Sequence, residues 1–157
     1  MTDYVVETGY AVDPIPAGFH TITPYVVVNG AERLIDFMKA AFDAELQYIL
    51  KDPHQKVVHA SVRIGNSNLM IADSNEKMLA IPCMLYLYVH DVDKVYKRAI
   101  ETGAESLREP IDEFYGDRSA GVMDRWNNHW WIATHIEDVD PAEIQRRAEQ
   151  AFAKMPK

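Results

Sequence analysis

The side chains in this 157-residue chain best suited to metal binding, proton transfer or ligand recognition are its histidines, one cysteine and one arginine-bearing turn. His59 lies in an alternating run with Val58, Ala60 and Val62, and His129 and His135 share the parity of Trp131 in a second run. Three imidazoles are raw material for a metal site or a general base. His129 and His135 are six residues apart on one strand, roughly 20 Å, so they cannot share an ion and each needs another partner. His59 reads as a structural or pocket-edge residue, and His20, His54 and His90 fall at strand edges or turns. Cys83 sits among Ile81, Pro82, Met84 and Leu85, without a cation to lower its thiol pKa. A lone cysteine cannot close an internal disulfide, which suits a packed or loop residue in a reducing compartment. The polar segment Tyr115-Gly116-Asp117-Arg118 has two readings that stay open. Arg118 offers a planar fork to a carboxylate or phosphate-like group while Gly116 allows a tight approach, or Arg118 pairs internally with Asp117 or Glu113 and locks the loop.

These residues are positioned by a repeat. Thr21 to Val28 alternates and reads as a strand, Asn29 to Glu32 resembles a capping box, and Leu34, Ile35, Met38, Ala41 and Phe42 follow at helical spacing. Strands are then predicted over Ala44 to Leu50, Val57 to Ile64 and Asn68 to Ala72, with turns at Pro53 and Gly65-Asn66-Ser67. The same order returns as a strand over Met84 to Val89 and a helix capped by Asp91 with Val92, Val95, Tyr96, Ala99 and Ile100 on its stripe. Gly103 closes that helix. A strand near Glu105 to Leu107, a long polar loop to Gly116, and strands near Arg118 to Met123 and His129 to His135 complete the second copy. Ala44-Glu45 recurs as Ala104-Glu105, offset by 60, and Leu69-Met70-Ile71-Ala72 as Trp130-Trp131-Ile132-Ala133, offset by 61. One slipped residue in the helix-to-strand turn reconciles the two. Asp140-Pro141-Ala142-Glu143 opens a last helix with Ile144, Ala148, Ala151 and Phe152 on its apolar stripe.

The fold class is therefore α+β: two tandem βαβββ modules forming a cupped, partly open mixed sheet with flanking helices and a C-terminal helix. Residues 1–18 are expected to form an N-terminal arm and 19–157 a single domain, divided into module one (19–73), a linker (74–83), module two (84–136) and the last helix (140–154). This arrangement resembles the vicinal-oxygen-chelate (glyoxalase/bleomycin resistance/dioxygenase) superfamily. Within it, Thr23-Pro24-Tyr25-Val26-Val27-Val28, His59-Ala60-Ser61-Val62-Arg63-Ile64-Gly65, Leu69-Met70-Ile71-Ala72-Asp73, Tyr115-Gly116-Asp117-Arg118-Ser119 and Ile132-Ala133-Thr134-His135 are similar to the PhnB-like branch, over about Ile15 to Phe152. The resemblance implies a homodimer, and leaves open whether the cup is formed within one chain or across two.

The resemblance also implies where a catalytic metal would sit, on the first and last strands of each module. Strand alternation puts Val26, Val28, Leu69, Ile71, Leu85, Leu87, Trp130 and Ile132 against the helices. The ligand-like positions then read Thr23, Met70, Met84 and Trp131, a hydroxyl, two thioethers and an indole, which suit no hard or borderline cation. No cofactor is expected; a divalent metal is the disfavoured alternative. The cup is instead expected to be aromatic and soft, with Thr23, Tyr25, His59, Met70, Met84, Tyr86, Tyr88 and Trp131 inside and Tyr115, Asp117 and Arg118 at the rim. It suits a small, flat or apolar ligand, and no catalytic residue is identified. The alternative is a metal-dependent lyase, isomerase or transferase of the glyoxalase or fosfomycin-resistance type, drawing on His59, His129 and His135.

The hydrophobic share of 48% and charged share of 25% are those of an ordinary globular chain. A formal net charge of -8 argues against nucleic acid or an anionic membrane as partner. The N-terminal residues lack the basic and apolar regions of a secretory signal, so the expected location is the cytoplasm.

Overall fold

The computed structural model of the protein describes Gly9 and residues 11–156, so most of the first half of the arm expected over 1–18 lies outside the described residues. Module one contains β1 (Tyr25–Val28), α1 (Ala31–Phe42), β2 (Glu45–Lys51), β3 (Val57–Ile64) and β4 (Ser67–Asp73). Module two contains β5 (Met84–Tyr88), α2 (Val92–Glu101), β6 (Glu105–Asp112), β7 (Asp117–Met123) and β8 (His129–His135), and α3 (Pro141–Ala153) follows. Each module makes its own four-stranded mixed sheet, ordered β1-β4-β3-β2 and β5-β8-β7-β6. In each, the first strand runs parallel to the last and the other pairings are antiparallel. The expected α+β class with two tandem βαβββ modules is observed, the open mixed sheet being present as two four-stranded sheets, one per module.

The two modules are joined through their helices. The stripe Leu34, Ile35, Met38, Ala41 and Phe42 is buried on α1, and Val92 and Ala99 on α2. These residues, with Val26, Val28, Ile71, Val122, Trp130 and Ile132 from the strands, form one apolar core spanning both modules. Trp130, fully buried on β8, packs on Phe42 and Phe37 of α1 at ring-centroid distances of 4.8 and 6.4 Å. Burying an indole at this seam removes large apolar area from water and fixes one module against the other.

The helix starts differ in how they are capped. Asp91 and Asp140 accept from the backbone N–H of Lys94 and Ala142, as their sequence contexts predict. The capping box expected over Asn29 to Glu32 does not form. Gly30 is the N-cap and has no side chain to offer, so the orphaned N–H groups of α1 go to Asp73 at the end of β4. Asp73 Oδ1 accepts from Gly30 and Ala31, and Oδ2 accepts from Val57 at the start of β3. Burial works to raise the Asp73 pKa, but three backbone N–H donors and Lys56 favour the carboxylate and hold it below its usual value. Asp73→Asn can satisfy only one side of this arrangement, and an expected loss of about 1–2 kcal/mol at neutral pH follows. Because the folded pKa is depressed, Asp73 contributes stability above its unfolded pKa of about 4 and loses it as pH falls through the folded value. Denaturant melts of both proteins from pH 7 to pH 3 should show their difference narrowing below about pH 4.

The slipped residue in the helix-to-strand turn is one of two. Met70 pairs with Tyr25 and Ser61, and Trp131 pairs with Tyr86 and Gly121. Tyr25 therefore corresponds to Tyr86 and Met70 to Trp131, each offset by 61, whereas Ser61 corresponds to Gly121, offset by 60. A second slip, in the turn between the last two strands, restores the first offset. A further difference from expectation is β6, which runs on to Asp112 instead of giving way to a loop after Leu107. Pro110 is tolerated because β6 is an edge strand paired only with β7, with register irregularities on both sides of Arg108.

Candidate functional site

On each sheet the face turned away from the helices carries aromatic and polar side chains at the module's equivalent positions. On the first sheet, Tyr25, Met70, Ser61 and Tyr48 form one row of register neighbours. Leu50 and His59 are partners on the same face. The Tyr25 hydroxyl lies 3.2 Å from His59 Nδ1, and the Tyr48 ring stands 6.3 Å from the imidazole. Ser61, 6% exposed, has no hydrogen-bond partner for its hydroxyl among the described residues. Tyr25, Tyr48 and Leu50 are 44%, 54% and 46% exposed.

The corresponding row on the second sheet is Tyr86, Trp131, Gly121 and Arg108. Trp131 lies so close over Gly121 that a Cβ there would come within 2.9 Å of the indole, so this position admits no side chain. The Arg108 guanidinium sits 4.9 Å from the Trp131 ring centroid. It is held by Glu113 at 2.6 Å and by the Ser119 hydroxyl. Tyr86 and Tyr88 pack at 5.4 Å. Burial first, and a hydrogen bond with Tyr115 second, push the Tyr86 phenol well above its ordinary pKa. The Tyr88 hydroxyl donates to Asp117 Oδ2 at 2.9 Å, which raises its pKa too. Both phenols stay protonated at neutral pH and act as hydrogen-bonding groups on an apolar ring.

Asp117, 3% exposed, is the polar centre of this face. Its second oxygen meets His135 Nδ1 at 2.7 Å, and His135 Nε2 meets Asp138 at 2.8 Å. The two carboxylates, Asp117 ahead of Asp138, hold the imidazole above its ordinary pKa. A cleft of about 310 Å³ lined by Tyr88, Val89, His90, Thr134 and His135 opens beside it. Gly116 precedes Asp117 with φ 100, and a Cβ there would collide with the backbone oxygen of Glu137 at 2.1 Å. The close approach is thus from the chain itself: Gly116 O accepts from Ile136 and Glu137 and pins the exit of β8.

Several sequence-predicted residues are brought together here: Tyr86, Tyr88, Tyr115, Asp117 and Trp131 share the second face, with Met84, 67% exposed, at its end. Tyr25, His59 and Met70 share the first face. Two stand elsewhere. Thr23 precedes β1, and its hydroxyl donates to His20 O. Arg118 engages Asp93 of α2 at 2.7 and 2.8 Å and Asp112 at 2.9 Å, so its fork ties β7 to α2 rather than opening at a rim. The partners expected for an internal pair, Asp117 and Glu113, are taken by other groups. Arg108, Glu113, Ser119 and Tyr48 were not singled out as site residues from the sequence. The alternation continuing past Leu107 toward Ile111 was the available signal for Arg108, masked by Pro110.

At the positions where the resemblance implies a metal stand Met70, Met84, Trp131 and Thr23, whose hydroxyl donates to His20 O: two thioethers, an indole and a neutral hydroxyl. Among the described residues, no three His, Cys, Asp or Glu side chains gather as a metal-binding group. Cys83 is half-buried; burial first and the Asp124 carboxylate second raise its pKa, away from thiolate reactivity. No helix among the described residues is long and apolar enough to cross a membrane.

Comparison with known proteins places this geometry. The uncharacterized protein Mb0911c of Mycobacterium bovis is 31% identical over 135 residues, covering 79% of this chain and 89% of its own length. The uncharacterized protein Rv0887c of Mycobacterium tuberculosis is equally similar, with 79% of each chain covered. Among solved structures, TioX from Micromonospora superposes with a TM-score of 0.61 at 20% identity, over 73% of this chain and 99% of that one. A PhnB protein from Bacillus cereus, described as a putative 3-demethylubiquinone-9 3-methyltransferase, gives 0.60 at 19% identity over 73% of this chain. These structural likenesses concern the fold alone. The sequence pattern of one family matches residues 18–132, and with the duplicated βαβββ modules it assigns this chain to the Glyoxalase/Bleomycin resistance protein/Dioxygenase superfamily.

Proposed function

We propose that this protein binds a small, flat or apolar molecule in a cup shared between two copies of the chain, without a resident metal ion. The first sheet of one protomer and the second sheet of its partner would supply the two walls. One observation carries this reading: in a single chain both aromatic faces are uncovered, with Tyr25, Tyr48, Tyr86, Tyr88 and Met84 all 44% to 67% exposed. An exposed patch of this kind marks an interaction surface.

The walls would bind by stacking and area burial, with protonated phenols, the His59 imidazole and the Arg108–Glu113 pair orienting the ligand. Sedimentation should give twice the 17.9 kDa chain mass, and Tyr48→Glu, which puts a charge on an exposed face, should shift the population to monomer. Thermal shift with a panel of planar aromatic compounds in the presence of a chelator tests the ligand class. A hit at about 100 times its Kd stabilises by about 2.7 kcal/mol. Tyr86→Ala and Tyr25→Ala should each weaken binding about tenfold. Near-stoichiometric nickel, zinc or manganese in the purified protein, lost on replacing His59, His129 or His135, would overturn the metal-free reading in favour of a metal-dependent lyase, isomerase or transferase.

A further inference from the structure

We propose that a cavity at the seam between the modules is a second binding site, distinct from the shared cup, for a small planar anion: an aromatic ring bearing a carboxylate or phosphate-like group. The cavity is about 340 Å³, room for one substituted ring. It is bounded by Arg33, Asp36 and Phe37 of α1, Gly103 after α2, and Arg125 and Trp126 of the β7–β8 turn.

The arginines single it out. Of the eight in the chain, Arg63, Arg98, Arg108, Arg118, Arg146 and Arg147 hold carboxylates within ion-pair distance. Arg33 and Arg125 hold none among the described residues, and both line this cavity. Asp36 is the one carboxylate beside them, so the site carries a local positive excess in a chain of net charge -8. A focused positive spot on an acidic protein draws small anions while the surrounding field repels large ones.

The surfaces for a ring are also in place. The Arg125 guanidinium stands 5.7 Å from the Trp126 ring centroid. Trp126 is oriented by its indole N–H, which donates to Asn29 O at 2.9 Å. Phe37, 8% exposed, adds an apolar wall, and no atom lies within 4 Å of where a Cβ at Gly103 would stand. A flat ring can rest on Trp126 and Phe37 with its anionic group between the two guanidiniums, which donate paired N–H hydrogen bonds to such oxygens.

Isothermal titration with phenylphosphonate, inorganic phosphate and benzyl alcohol tests the proposal. Phenylphosphonate is expected to bind at least about tenfold more tightly than either of the others, because only it uses both the ring surface and the guanidiniums. Arg33→Gln and Arg125→Gln, both exposed positions, should each weaken it about tenfold, with Arg→Lys at either position retaining part of the affinity, and Asp36→Asn should strengthen it. Tyr86→Ala, on the cup face, should leave it unchanged. No binding of phenylphosphonate at millimolar concentration overturns the proposal. So does binding that survives the double arginine substitution or that is abolished by Tyr86→Ala, which would place the ligand in the cup.

Discussion

Replacing Trp130 by alanine is expected to cost about 3–5 kcal/mol of folding stability, the range for emptying a buried aromatic site. The side chain is fully buried and touches Phe37 and Phe42 across the seam, so its removal opens a cavity in the core shared by the modules. Its loss also removes the indole N–H that donates to Asp124 Oδ2 at 2.9 Å. For a chain of this length the change corresponds to a fall in Tm on the order of 10 °C. Denaturant unfolding at fixed protein concentration measures it, and Trp130→Phe separates the two contributions by keeping most of the packing while deleting the donor. A Trp130→Ala loss below about 1 kcal/mol would mean that the modules are not held together by this core.

Asp124→Ala is the second large effect, expected at about 3 kcal/mol or more. Asp124 is 3% exposed, and each of its oxygens accepts two hydrogen bonds. Oδ1 takes the backbone N–H groups of Trp126 and Asn128, and Oδ2 takes Asn128 Nδ2 and Trp130 Nε1. Fully buried Asn128 passes the connection on, its Oδ1 accepting from the backbone N–H of Cys83 just before β5. One carboxylate thus organises the β7–β8 turn, the seam tryptophan and the entry of the second module. Asp124→Asn is isosteric yet is expected to lose about 2 kcal/mol, because an amide turns one acceptor into a donor facing two donors. Equal stability of Asp124→Asn and the parent protein would show that water takes over these partners.

Both hubs show what was hard to read from the chain. Asp124 stands in Asp124-Arg125-Trp126-Asn127-Asn128, whose composition marks a turn but not a buried acceptor for a tryptophan six residues on. Asp73 closes the phrase Leu69-Met70-Ile71-Ala72-Asp73, and nothing local says that it caps a helix 42 residues earlier. The nearer candidate, the Asn29 to Glu32 segment, was the better local match, and Gly30 at the cap position left the task to a strand end. Arg118 shows the same limit: its neighbours Asp117 and Glu113 were the natural partners, but the fold turned Asp117 to Tyr88 and His135 and brought Asp93 and Asp112 to the guanidinium.

The duplicated module, the helix stripes and the division of the first and last strand of each module into a helix-facing and an outward-facing side were determined by the sequence alone. They rest on periodicities of 3.6 and 2 that backbone geometry imposes on any chain burying one face, and a register slip would expose the whole apolar set. Tertiary structure alone decided that the two sheets stay separate, that their aromatic faces are uncovered in one chain, and that Arg33 and Arg125 meet at one cavity. Those outcomes depend on which distant side chains come within 3 Å of each other once the helices pack. Hydrogen bonds and ion pairs at that range follow from the folded geometry rather than from spacing along the chain.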